Sequence, residues 1–111
     1  MKTQILVIGR HGEILNTLLR LINKNSDWNA KGALQDDEAI RLFNEHRIEI
    51  VLLSSGIKEE CEIKLCNYFM NKDPSVKIIQ HYGGGSGLLS NEIYQALAET
   101  NRAANLKKSI N

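Results

Sequence analysis

Ser54, His81 and His11 are the side chains with the most obvious chemistry, and each stands at or just past the end of a short apolar run. The runs are "QILVIG" at residues 4–9, "IEIVLLS" at 48–54 and "SVKIIQHY" at 75–82. A serine hydroxyl attacks an acyl or phosphoryl centre only when a base draws off its proton, and histidine is the usual base. Serine with histidine therefore raises hydrolysis as a question. Against it, no G-x-S-x-G elbow surrounds Ser54, and no third group stands out to orient a histidine. Two histidines could also begin a metal site, but a convincing third ligand is missing, so no metal is expected. His46 falls at the far end of its helical stretch and should not join the others.

A second set of residues could hold an anion. Residues 83–87 read "GGGSG", with four glycines in five positions. Bare backbone N–H groups near a helix start can cradle a phosphate. Arg10, Ser55, Gly83, Gly84 and Gly85 are the candidate anion-binding residues. The run matches neither G-x-x-x-x-G-K-[ST] nor G-x-G-x-x-G after the first strand, so a short flexible bridge is the plainer reading. Cys61 and Cys66 lie five apart on one helical stretch, a poor arrangement for a disulfide. They read as core or half-core fillers in a reducing cytoplasm.

These positions need elements to hold them. "QILVIG" reads as a buried parallel strand. In the helix that follows, Ile14, Leu15, Leu18, Leu19 and Ile22 recur at helical spacing. "WNAKGAL" at residues 28–34 reads as an outer strand, with Trp28 packed at its start or serving as a partner anchor. A second helix carries Ala39, Ile40, Leu42 and Phe43, and Asp36 or Asp37 is expected to cap it. After the strand ending at Ser54, a third helix places Ile63, Cys66, Phe69 and Met70 on one face and stops near Pro74. A fourth strand ends near His81. The last helix, capped by Ser90 or Asn91, should face Ile93, Tyr94, Leu97 and Ala98 inward.

Strand and helix alternate four times, the pattern of an α/β sandwich with a mostly parallel sheet. Ligands in such folds collect beyond the carboxyl ends of the strands. The chain has 111 residues, enough for one domain, with residues 102–111 a helical extension or tail. A formal net charge of +1 with both signs interspersed gives no electrostatic case for nucleic acid. The opening apolar run is too short to span a membrane, and no signal peptide is visible.

With the strand ends placed, most of residues 3–100 resembles a bacterial response-regulator receiver domain. The likeness is carried by "ILVIGRHGEILNTLLRLI", by "GALQDDEAIRLFNEHRIEIVLLSSGI" and by "KLCNYFMNKDPSVKII". It implies a flavodoxin-like three-layer sandwich with four or five strands. In that family an acidic pair after the first strand helps to hold magnesium; Gly9 and Arg10 stand there. An aspartate ending the third strand accepts phosphate; Ser54 stands there. A serine or threonine ends the fourth strand, where Gln80 or His81 is found. A lysine near the end of the fifth strand has no clear counterpart beyond Ser90 or Asn91. Gly9, Arg10, Ser54 and His81 are thus degenerate phosphorylation-site positions.

The carboxyl-terminal part departs as well. Too few residues follow the fourth strand for the family's fourth helix, which reads as deleted. Gly87, Leu88 and Leu89 are then expected to be a vestigial fifth strand; the other reading ends the sheet at four. The resemblance thus implies a pseudo-receiver that cannot be phosphorylated. It is expected to be a cytoplasmic signalling module with no enzymatic activity and no cofactor. It would bind another protein or a second copy through Leu88, Leu89 and Tyr94. The competing expectation is a module that binds a small anion or other small ligand at the strand-end rim.

Overall fold

The computed structural model describes residues 2–81 and 88–98. The four strands are β1 (Thr3–Ile8), β2 (Trp28–Ala33), β3 (Ile50–Leu53) and β4 (Lys77–Gln80). The helices between them are α1 (Gly12–Asn23), α2 (Asp36–Glu45) and α3 (Glu59–Lys72). Residues 88–98 form a further helix, α4. All strand pairs are parallel, in the order β2-β1-β3-β4. This is the expected α/β three-layer sandwich.

Ile5–Ile8 of β1 and all of β3, the two central strands, read as unbroken apolar runs because both faces of the sheet are covered there. Ile5, Val7, Ile50 and Leu52 turn to one face, where Leu15, Leu18 and Ile22 of α1 meet Leu89, Ile93 and Ala96 of α4. Leu6, Ile8, Val51 and Leu53 turn to the other, under Ala39 and Phe43 of α2 and Leu65 and Phe69 of α3. The Phe43 and Phe69 rings lie 4.5 Å apart between centroids and join α2 to α3. On the β2 side, Asn23 brackets Ala30. Its Oδ1 accepts from the Ala30 N–H at 2.8 Å and its Nδ2 donates to the Ala30 carbonyl at 3.3 Å. Trp28 is buried at the start of β2, and its ring packs 4.9 Å from that of Tyr94.

Several expectations change here. Leu88 and Leu89 open α4 and do not form a fifth strand. Leu89, Ile93 and Ala96 recur at helical spacing and bury one stripe against the sheet, which an extended pairing would lose. Gly87 lies outside the described residues. Because α4 starts by residue 88, Ser90 and Asn91 sit inside it and are not caps. Tyr94 is 54% exposed although its ring touches Trp28, and Ala98 is exposed; Ala96 is the inward residue.

On α3 the buried pair is Leu65 and Phe69, while Ile63 and Met70 are each 54% exposed. The stripe read from the sequence is one step out of phase, because Ile63, Cys66 and Met70 form a second apolar seam beside the buried one. Ile14 of α1 is likewise on the surface. The residue before α2 is Gln35, with no side-chain cap. Asp36 turns instead to Arg10, and the Asp37 carboxylate accepts from the Glu38 N–H.

Candidate functional site

Parallel strands deliver their carboxyl ends to one rim, and the ladder carries each end one residue further. The Gly9 N–H donates to the Ala33 carbonyl at 3.1 Å, the Ser54 N–H to Ile8 at 2.8 Å and the His81 N–H to Leu53 at 2.8 Å. Gly9, Ser54 and His81 are therefore fixed by backbone, not by loop conformation. Side chains alternate along a strand, so Ser54 follows Ile50 and Leu52 onto the α1 face. His81 follows Ile79 to the same face.

Gly9 and Ser54 are in close approach. A Cβ on residue 9 would lie 3.0 Å from Ser54 Cβ. Ser54 and His81 are both buried. His81 Nδ1 lies 2.6 Å from Oε1 of Glu92, which joins the end of β4 to the first turns of α4. Beside this pair a cavity of about 380 Å³ is lined by Ser54, Ser55 and His81 with Glu13 and Thr17 of α1; Ile14, Leu18 and Leu21 make its apolar wall. A cavity of about 550 Å³ lies at the opposite end of the sheet, among Lys2, Arg47, Glu49 and Asp73. It is larger, but its polar residues, among them Thr3, Glu49, Asp73 and Ser75, are half-buried or exposed. The smaller one is lined by the buried polar residues Ser54 and His81.

Arg10 points away from that cavity. Its Nη1 donates to the Leu34 carbonyl at 2.8 Å, and its Nη2 forms a salt bridge to Asp36 at the start of α2. Partial burial works against the Arg10 charge. The hydrogen bond and charge of Asp36 outweigh it, with Cys61 adding to the same side, and the guanidinium is held above its ordinary pKa. Burial pushes the Cys66 thiol up, with the neighbouring Glu62 charge adding to the effect.

The structure therefore brings together three of the residues singled out in the sequence: Gly9, Ser54 and His81. His11 is exposed and stands over Gly56, whose φ of +93° suits glycine alone, and a Cβ there would meet the His11 ring at 3.2 Å. His46 ends α2 away from the rim. Gly83, Gly84 and Gly85 lie outside the described residues. Leu88 is exposed, whereas Leu89 is buried in the core and presents no surface to a partner. Glu92 was missed. Its one sequence signal is position, three residues after Leu89 and one before Ile93, beside the buried stripe.

Compared with solved structures, most of the chain superposes on receiver domains. Over 92% of this chain and 99% of the other, it superposes with a TM-score of 0.79 and 15% identity on a signal receiver domain of an HD domain-containing protein from Pseudomonas fluorescens Pf-5. A CheY-like receiver domain protein from Methanospirillum hungatei JF-1 matches with a TM-score of 0.78 and 12% identity, covering 93% of this chain and 99% of that one. A receiver domain protein from Clostridium thermocellum matches at 0.72 and 17%, covering 94% and 98%. No protein-family model matches the sequence. No curated protein matches it either. The fold is that of a response-regulator receiver domain.

Proposed function

We propose that the chain is a receiver-like signalling module that works without aspartyl phosphorylation, through contacts with another protein or a second copy. The observation that carries this reading is the content of the strand ends. Aspartyl phosphorylation needs a carboxylate nucleophile and a divalent cation to neutralise phosphoryl oxygens. Ser54 follows β3 where the family's nucleophile stands, and a Cβ on residue 9 would come within 3.0 Å of it. Arg10, at a family magnesium position, already carries a positive charge and spends it on Asp36. Gly9 and Arg10 offer a magnesium ion no carboxylate, and Asp36 is already paired with Arg10.

The apolar residues at the surface support the interaction role. Leu88 and Tyr94 are exposed on α4, and Ile63 and Met70 on α3. Leu89 serves the core instead. A backbone-amide NMR titration with magnesium and beryllofluoride tests the reading. A spectrum unchanged at Gly9–His11, Ser54–Gly56 and His81 is expected. Saturable shifts clustered at those positions would overturn it.

The cavity beside Ser54 and His81 favours a second reading, a small-ligand module. Its chemistry does not favour an anion. Glu13 lines it, Glu92 stands behind His81, and Arg10 is engaged elsewhere. Of the proposed anion-binding residues, Ser55 alone lines the cavity among those described.

A further inference from the structure

We propose that Ser54, His81 and Glu92 form a nucleophilic serine site that transfers acyl groups from small uncharged aliphatic esters. This goes beyond the signalling reading and does not depend on it. The sequence argued against hydrolysis because no group was seen to orient a histidine, and α4 supplies one. The Glu92 carboxylate lies 2.6 Å from His81 Nδ1. With the ring proton on Nδ1, the tautomer a carboxylate partner favours, Nε2 is the nitrogen left to act as base.

The serine is placed by register. Leu53 pairs with Gln80 across β3 and β4, so Ser54 and His81 are the next pair along the ladder. Same-face partners on neighbouring strands hold their Cβ atoms about 5 Å apart. Both residues are buried, and both line the 380 Å³ cavity. A clasp between β4 and α4 explains the bond from His81 to Glu92. It does not explain why the adjacent Ser54 hydroxyl opens on that cavity with no hydrogen bond to a described residue. Nucleophile and base need not be hydrogen-bonded before substrate arrives, since such bonds tighten in the complex.

The reaction balances with water alone. Ser54 Oγ attacks the ester carbonyl carbon as His81 Nε2 takes the hydroxyl proton. The bond to the alcohol oxygen breaks, and His81 returns the proton to the departing alcohol. Water then attacks the acyl-serine, giving its proton to the same nitrogen. The serine oxygen leaves and recovers that proton, and the carboxylic acid is released. Ile14, Leu18 and Leu21 offer an apolar wall to a short acyl chain, and Glu13 disfavours an anionic one.

The test uses the full chain with p-nitrophenyl butyrate, and with a fluorophosphonate whose attachment is mapped by peptide mass spectrometry. Label on Ser54 and saturable hydrolysis are expected. Ser54→Ala should abolish both, and His81→Gln should slow labelling by about 10²- to 10⁴-fold. Glu92→Gln, which alters a positioning residue, should also displace the pH–rate profile. Circular dichroism checks that each variant is folded, and Ser54→Ala removes only a hydroxyl. No label on Ser54 in the folded chain, or hydrolysis that survives Ser54→Ala, overturns the proposal. Equal labelling in folded His81→Gln overturns it too.

Discussion

On the β2 side of the rim, Arg10 is tied to the Leu34 carbonyl and to Asp36. On the β4 side, Ser54 and His81 face a cavity, with Glu92 behind the histidine. Both sides rest on strand ends fixed by the same parallel ladder. The first closes its polar groups on each other near the surface. The second buries polar groups and leaves a hydroxyl open. A position that must only fold is expected to look like the first side, because a satisfied, partly exposed ion pair costs little. Polar groups kept at a cavity are the more informative feature.

That contrast can be broken from the core outward. Phe69 is wholly buried beneath α3 while Met70, the next residue, is exposed. Phe69→Ala should cost about 3–5 kcal/mol, and Met70→Ser should stay within about 0.5 kcal/mol, both measured by urea unfolding. Equal effects would mean that the α3 phase is wrong. His81→Ala should come next. It strips the partner from a largely buried carboxylate, with a loss of about 2–3 kcal/mol expected in the same assay.

Gly9→Ala should be smaller. The added Cβ must push Ser54 back from 3.0 Å, and overpacking of that kind costs about 1–2 kcal/mol. Amide shifts centred on Ser54 should accompany it, and a spectrum perturbed only near residue 9 would argue against the contact. Asp36→Asn should be the smallest, at about 0.5–1 kcal/mol, and should shrink further at high salt because the pair is partly exposed. A loss as large as that of His81→Ala would erase the difference between the two sides.

Much of this architecture was legible in the chain, for identifiable reasons. Ile5–Ile8 of β1 and all of β3 are buried on both faces, so these residues form continuous apolar runs bounded by a glycine or serines. Leu15, Leu18 and Ile22 repeat at helical spacing, and α1 packs accordingly. The strand ends followed directly, and with them Gly9, Ser54 and His81. The end of the chain was harder. "GLL" reads equally as a short strand or a helix start, and only Ile93 and Ala96 further along decide for the helix. On α3 two apolar stripes run side by side, and periodicity alone does not say which one meets the sheet.

Pairings across the fold were least legible. Arg10 and Asp36 are 26 residues apart in sequence. Asp36 at a helix start has a local explanation as a cap, which hid the distant one. Glu92 was hidden by its distance from Ser54 and by its place among the polar residues of a helix start. Both partners depend on which elements become neighbours, a property of topology that local residue pattern does not carry.

The proposed function requires that this receiver-like chain does not undergo aspartyl phosphorylation. The most direct test is to incubate the full chain with phosphoramidate and magnesium and follow its intact mass, with a phosphorylatable receiver domain as positive control. The expected result is an unchanged mass while the control gains a phosphoryl group. A stoichiometric, magnesium-dependent phosphoryl adduct on an aspartate of the strand-end rim, Asp36 or Asp37, would contradict it.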